Sequence, residues 1–305
     1  MNSGAAPAAA RGGLRPRARK WRNAALPAAF LLPAVAFVAV VSIYPIFDAV
    51  SLSVHATSYA QVGAFIGLRN YVALAFDPGI WRDGRNSLIY TAFSLALVLP
   101  YSMGLAILLN RPIPGRGLFR TLIIMPWVTS QTITALVWGW LLNGDYGALT
   151  YLLQLLAGHR IAVLASPAGA MATLIGINVW ASYPLATLLF LAALQTVPKE
   201  LYEAASVDGA SRWGSFAHVT APMIRPTALV VIIQLTLLYL NMVTLIYVLT
   251  GGGPLNGTET LAVTVLKMSF QNWEIGKGAA LGMVLTAINV LFSLVYMRAL
   301  RGGEP

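Results

Sequence analysis

The chain contains no cysteine, which excludes disulfides, Fe–S clusters, thiolate zinc sites and cysteine nucleophiles. Histidine is scarce as well. His55, His159 and His218 lie far apart without ligand-like spacing, so no metal site is expected. No G-x-x-x-x-G-K-[ST] run occurs, so any ATP that the protein depends on must be held by a partner. Charge is the largest deficit. Only 10% of the 305 residues are Asp, Glu, Lys or Arg, against roughly 25% in an average soluble domain. With 58% hydrophobic residues and a mean hydropathy of +0.72, the composition is that of a membrane protein. The net charge of +10 therefore poses a question of sidedness before one of an anionic ligand such as nucleic acid.

A membrane helix needs about 20 mostly apolar residues, and charge-free runs of that length occupy 23–47, 86–110, 121–144, 161–198, 226–258 and 278–297. They predict an all-α integral membrane protein with six transmembrane helices, near 24–46, 87–109, 121–142, 170–194, 228–249 and 279–297. The uncharged stretch 49–68 is too polar to span and reads as an external loop. Residues 146–158 are apolar but short, which suits an interfacial helix. A signal peptide is the rival reading of the first run, but the run is too long and no small-x-small cleavage site closely follows it.

Fourteen of the twenty basic residues fall on one side of these spans. They are Arg11, Arg15, Arg17, Arg19, Lys20 and Arg22 of the tail, then Arg111, Arg116, Arg120, Lys199, Arg212, Arg225, Arg298 and Arg301. The other side holds Arg69, Arg82, Arg85, Arg160, Lys267 and Lys277, balanced by six acids. Both termini are thus expected to be cytoplasmic, and the whole net charge lies on that side. Residues 1–22, rich in Ala, Gly, Pro and Arg, read as a disordered basic tail beside anionic membrane lipid; residues 23–305 read as one transmembrane domain.

The expected span interiors contain no Asp, Glu, Lys, Arg or His. Ion-coupled pumps keep such costly groups for the coupling charge, so that machinery is missing. Neutral polar groups stand near mid-span instead: Gln131, Asn178, Tyr183, Tyr239, Asn241 and Asn289. They suit hydroxyl recognition, and equally suit hydrogen bonding between helices. Prolines at Pro33, Pro45, Pro100, Pro126 and Pro184 add kinks inside or at the ends of spans.

The segment 196–226 is the most informative. Thr196 can cap and Pro198 can open a helix over 199–207, with Asp208-Gly209 as its stop. Ser211 can cap a second short helix through Phe216, and Pro222 leads into span five. Loops of this length are uncommon without a role. Leu201, Ala204, Ala205 and Val207 offer apolar and small surface, while Glu203 and Asp208 supply charge.

Glu203-Ala204-Ala205, Asp208-Gly209-Ala210, Phe216, Val219, Pro222 and Pro226 resemble the EAA loop of binding-protein-dependent ABC importer permeases; Ala221 stands where that family usually has Leu. FIGLRNY (65–71), LLNRPIPGRGLFR (108–120), Pro126-Trp127, LLNGDYG (141–147) and YVLTGGGP (247–254) are similar to MalF-like permeases of carbohydrate importers. Thr244 takes a place at which many of those relatives carry an acid. The resemblance covers all but the tail and implies the type I ABC importer permease fold in a bacterial plasma membrane. It implies a coupling helix at Glu203, Ala204, Ala205, Asp208, Gly209 and Ala210 that enters a cleft of the ATPase, with Gly209 at a turn that a Cβ could obstruct. The implied partners are a second, MalG-like permease, an ABC ATPase dimer that binds ATP and Mg, and an extracytoplasmic solute-binding protein; no cofactor, catalytic residue or metal belongs to this chain. Gln131, Tyr239, Asn241 and Asn289 are the candidate substrate-path residues.

Three other readings fit less well. A membrane enzyme lacks an acid, base or nucleophile constellation, the acids Asp77 and Asp83 reading as parts of a loop. A channel lacks a charged ring or filter, Gly251 to Gly253 reading as a turn. A polyamine permease would need carboxylates along the spans.

Overall fold

The structure, a computed structural model, describes residues 30–59, 61–112, 114–159 and 162–301, the last two without their side chains. The expected basic tail, residues 24–29 of the expected first span, Arg160 and Glu304 lie outside the described residues. The chain divides into two compact units, 1–51 and 52–305. In the first, a helix starts at Phe30 and carries one wide π turn at Ala39–Ile43. Its large apolar side chains, Phe30, Phe37 and Phe47 among them, are exposed.

Five helices among the described residues are long and apolar enough to cross a membrane: Phe30–Ser53, Pro78–Leu109, Pro167–Gln195, Arg212–Leu240 and Ile275–Ala299. The sixth candidate is a bent pair, Arg116–Val128 and Gln131–Leu141, which meet at 90°. The expectation of one continuous helix over 121–142 is corrected here. Thr129 and Ser130 are both extended (ψ 133° and 135°), and the Thr129 hydroxyl donates to Met125 O (3.1 Å). A side chain thereby serves a helix-terminal carbonyl, and Ser130 O accepts Thr134 N to begin the next helix.

Hydrocarbon gives helices no solvent-driven reason to associate, so close backbone approach and hydrogen bonds must do that work. The helix Pro78–Leu109 shows how. Ser87, Thr91, Ser94, Val98, Ser102 and Ala106 are buried, spaced three or four apart and hence on one face. Small and hydroxylated side chains on that stripe let Pro167–Gln195 pack along it. Pro167–Gln195 is the most enclosed of the five, with 56% of its apolar window buried. Leu174, Ile177, Phe190 and Leu194 join Tyr90, Val98, Val231 and Leu235 in the main core.

The stretch 49–68, expected as a loop, is helical to Ser53. It then forms a two-stranded antiparallel hairpin, His55–Ser58 with Gln61–Phe65. Asp77 and Asp83 do not flank a loop either. Asp77 caps the helix that opens at Pro78, accepting Gly79 N at 2.7 Å, a favoured N-terminal arrangement. Asp83 is buried in that helix and accepts the Thr264 hydroxyl at 2.8 Å. Around it Asn86 Nδ2 donates to Asn256 O (3.1 Å) and Glu259 O (2.9 Å), and Leu261 N donates to Ser87 Oγ (2.9 Å). Lys267 pairs with Glu259 at 2.9 Å, close over Gly252, whose φ of +88° and crowded Cβ position require glycine. One helix end is thereby clamped to a loop some 170 residues later in the chain.

Asn86→Ala strips both loop carbonyls of their donor, at a cost of about 2 kcal/mol. The expected result is a lower thermal unfolding midpoint of the detergent-solubilised protein; an unchanged midpoint counts against the clamp.

Candidate functional site

Between the helices Pro167–Gln195 and Arg212–Leu240 stands a short helix, Lys199–Val207. Pro198 opens it without a side-chain cap, and Glu200 lies in its first turn, where negative charge complements the helix dipole. The expected Thr196 cap is not made. The Thr196 hydroxyl donates backward to Ala193 O (2.8 Å), serving the end of the preceding helix. At the far end Asp208 N reaches Ala204 O (3.0 Å), Gly209 N reaches Ser206 O (3.1 Å) and Ala210 N reaches Ala205 O (2.9 Å). This glycine-stopped end satisfies the last carbonyls and depends on Gly209 at φ +76°. Nothing lies within 4 Å of a Cβ built there, so the demand for glycine comes from the backbone dihedral and not from obstruction.

Ser211 caps the next helix as expected, accepting Gly214 N at 3.1 Å. That helix does not end near Phe216, however. It widens into a π turn at Phe216–Thr220 and continues to Leu240 as one element. Pro222 has no N–H to donate to the carbonyl four residues earlier, and widening by one residue lets the helix absorb it. Sequence reasoning also missed Tyr202, whose hydroxyl meets Thr220 Oγ1 at 3.0 Å. That contact fastens the short helix to the π turn. Tyr202 directly precedes Glu203-Ala204-Ala205, but only the fold brings Thr220 to it.

Glu203, Ala204, Asp208, Gly209 and Ala210 are exposed and Ala205 is half-buried. Val207 is 88% exposed. Neither Glu203 nor Asp208 has an ion-pair partner among the described residues. An apolar tip between free carboxylates, on a helix anchored from behind, is suited to docking into another protein.

The four candidate path residues do not form one cluster. Asn241 and Asn289 are brought together, with Asn289 Nδ2 donating to Asn241 Oδ1 at 3.2 Å. Asn241 is exposed and closes the helix Arg212–Leu240; after a break at 241–243 a new helix, Thr244–Thr250, begins. Tyr239 is 1% exposed and its hydroxyl lies 2.6 Å from Ser182 Oγ, so here it bridges helices. Gln131 stands exposed at the first residue after the 90° bend. Asn178 and Tyr90 are buried with Nδ2 and the hydroxyl unpaired, the latter edge-on to Tyr239 at 6.3 Å. Thr244, the substitute for an acid, opens the helix after the break.

Residues 96–300 match the model of the family "Binding-protein-dependent transport system inner membrane component". The trehalose/maltose transport system permease protein MalF of Thermococcus litoralis is 31% identical over 281 residues, covering 92% of this chain and 95% of that protein. The sulfoquinovosyl glycerol transport system permease protein SmoG of Agrobacterium fabrum is 31% identical over 291 residues, with 94% of each covered. Among solved structures, a chain of a bacterial alginate ABC transporter, in complex with an alginate pentasaccharide-bound periplasmic protein, superposes with a TM-score of 0.80 at 22% identity. The match covers 91% of this chain and 94% of that one, and supports the fold. With its spans, its exposed short helix and a family match over 96–300, the chain is a multi-pass membrane protein that belongs to the binding-protein-dependent transport system inner membrane components.

Proposed function

We propose that the chain is the permease subunit of an ATP-driven importer whose cargo is a carbohydrate: a sugar, a polyol or a related polyhydroxylated solute. The observation that carries this reading is the exposed helix Lys199–Val207 with its left-handed stop at Gly209, set between two long apolar helices in a member of this family. The cargo class is supported by the relatives named for trehalose/maltose and sulfoquinovosyl glycerol. It is supported too by span interiors that offer Asn and Tyr but no charged side chain, a chemistry suited to hydroxyls.

On this reading the chain catalyses nothing. ATP and Mg are bound by an ATPase dimer, a second MalG-like permease completes the path, and an extracytoplasmic binding protein delivers the solute. Glu203, Ala204, Ala205, Asp208, Gly209 and Ala210 form the surface that enters the ATPase. The continuous helix Arg212–Leu240 then acts as a lever. Its 29 residues run about 43 Å at 1.5 Å per residue, from the foot of the coupling loop to the break at Asn241. Tyr202 and Thr220 hold the loop to that lever, so nucleotide-driven movement of the loop is delivered to Asn241 and its partner Asn289. A helix break near mid-membrane, with polar side chains at it, is a recurrent setting for transported solutes. The basic residues after the second, fourth and sixth spans support a cytoplasmic position for both termini in a bacterial cell.

Gly209→Asp costs only about 1 kcal/mol locally but disorders the loop end; transport and co-purification of the ATPase are expected to be lost while membrane insertion persists. Normal uptake by that variant would falsify the coupling role. Asn241→Ala should weaken uptake with the ATPase still bound, and unchanged uptake removes Asn241 from the path. Because the chain has no cysteine, a single Ser206→Cys substitution reports sidedness. Membrane-impermeant maleimide should label it only in inverted vesicles from cells without the ATPase, whose cleft would otherwise cover the short helix, and labelling of intact cells reverses the orientation.

A further inference from the structure

A cavity of about 910 Å³ opens beside the coupling loop, with Tyr202 in its lining. This is within the range of about 300–1,000 Å³ typical of ligand pockets. Met103 and Ile107 of the helix Pro78–Leu109, Leu194 of Pro167–Gln195 and Phe216 of the π turn give it an apolar wall. Arg111 and Arg212 line it as well; both are exposed, and neither has an ion-pair partner among the described residues. Trp213, also in the lining, is 76% exposed and stacks on Phe216 with ring centroids 5.5 Å apart.

Each part of this lining narrows the ligand. Guanidinium groups match a phosphate oxygen pair in a way that a neutral sugar does not exploit. The apolar wall offers nothing to free phosphate, but it does accept an acyl chain. Indole beside arginine is the side-chain combination found where hydrocarbon meets headgroups. A basic pocket between helix ends on the positively charged face complements an anionic leaflet.

We propose that this cavity binds an anionic phospholipid of the cytoplasmic leaflet. Its phosphodiester sits at Arg111 and Arg212, and an acyl chain runs along Met103, Ile107, Leu194 and Phe216. Arg111 follows the helix Pro78–Leu109 and Arg212 belongs to the coupling loop, so the headgroup bridges a span end to the coupling loop. The charge of the lipid then bears on the loop's position. This inference rests on the orientation proposed above, which cysteine labelling tests separately.

The test is native mass spectrometry of the importer, purified with its partners from nanodiscs of phosphatidylcholine with or without phosphatidylglycerol. Phosphatidylglycerol is expected to remain bound in preference to phosphatidylcholine, and Arg111→Gln with Arg212→Gln should lower its retention by roughly tenfold or more. Met103→Trp, which narrows the apolar wall and spares both arginines, should also lower its retention, whereas Arg298→Gln on the same side should not. Equal retention of both lipids, retention unaffected by the double substitution or by Met103→Trp, or displacement by millimolar inorganic phosphate overturns the lipid site. If labelling confirms the orientation, such a failure leaves the importer reading intact.

Discussion

Hydrocarbon cannot solvate an unpaired polar group, and the rest of this structure depends on that constraint. It keeps charge out of the expected span interiors and confines ion pairs such as Lys267–Glu259 to the loops and helix ends. It also explains the form of each irregularity. Where the chain bends at Thr129, a hydroxyl serves the Met125 carbonyl. Where Pro222 interrupts hydrogen bonding, the helix widens and continues. At the break after Leu240, the Asn241 side chain donates to Leu237 O at 2.7 Å.

The same constraint decides how an uncharged bundle can be driven. Its expected span interiors hold none of the ionisable groups that carry coupling charge in many pumps, and on the importer reading proposed above the work arrives mechanically from an ATPase. On that reading the exposed helix Lys199–Val207 receives it: the helix is held from behind by the Tyr202–Thr220 contact, and its neighbour Arg212–Leu240 runs on to the break at Asn241. Two-state motion of such an element carries coupling better than a chain of soft contacts. The clamp made by Asp83, Asn86 and Ser87 ties the opposite end of the helix Pro78–Leu109 to the loop and helix start at 256–264.

Much of this was legible along the chain. Charge-free runs located the apolar helices, although the expected spans 121–142 and 228–249 are interrupted at Thr129-Ser130 and at 241–243, and the glycine, serine and proline signals at Gly209, Ser211 and Pro198 located the short helix and the next one's cap. The misreadings share a cause. Thr129-Ser130 in an apolar run, Asp83 beside two arginines, and Pro222 after a capped turn are each locally ambiguous, because their conformations depend on partners distant in sequence or on how a helix absorbs a missing donor. Tyr239 is the instructive member of the candidate path. Its type and depth matched those of Asn241, but two positions on a helix is just over half a turn, and that rotation points it at Ser182.

By itself the sequence determined that the chain belongs in a bilayer, how many times it can cross, and which loop is unlike the others. Those properties follow from transfer free energy and backbone stereochemistry, both local. Only the tertiary structure decided which polar side chains are buried in helix contacts, as Tyr239 is, and which stand at an exposed break, as Asn241 does with Asn289 as its partner. It also decided that the loop and Asn241 are joined by one continuous helix, and that Arg111 and Arg212 share a cavity. Those relations are set by the packing of helices far apart in the chain, where rotation and depth, not composition, determine what each residue meets.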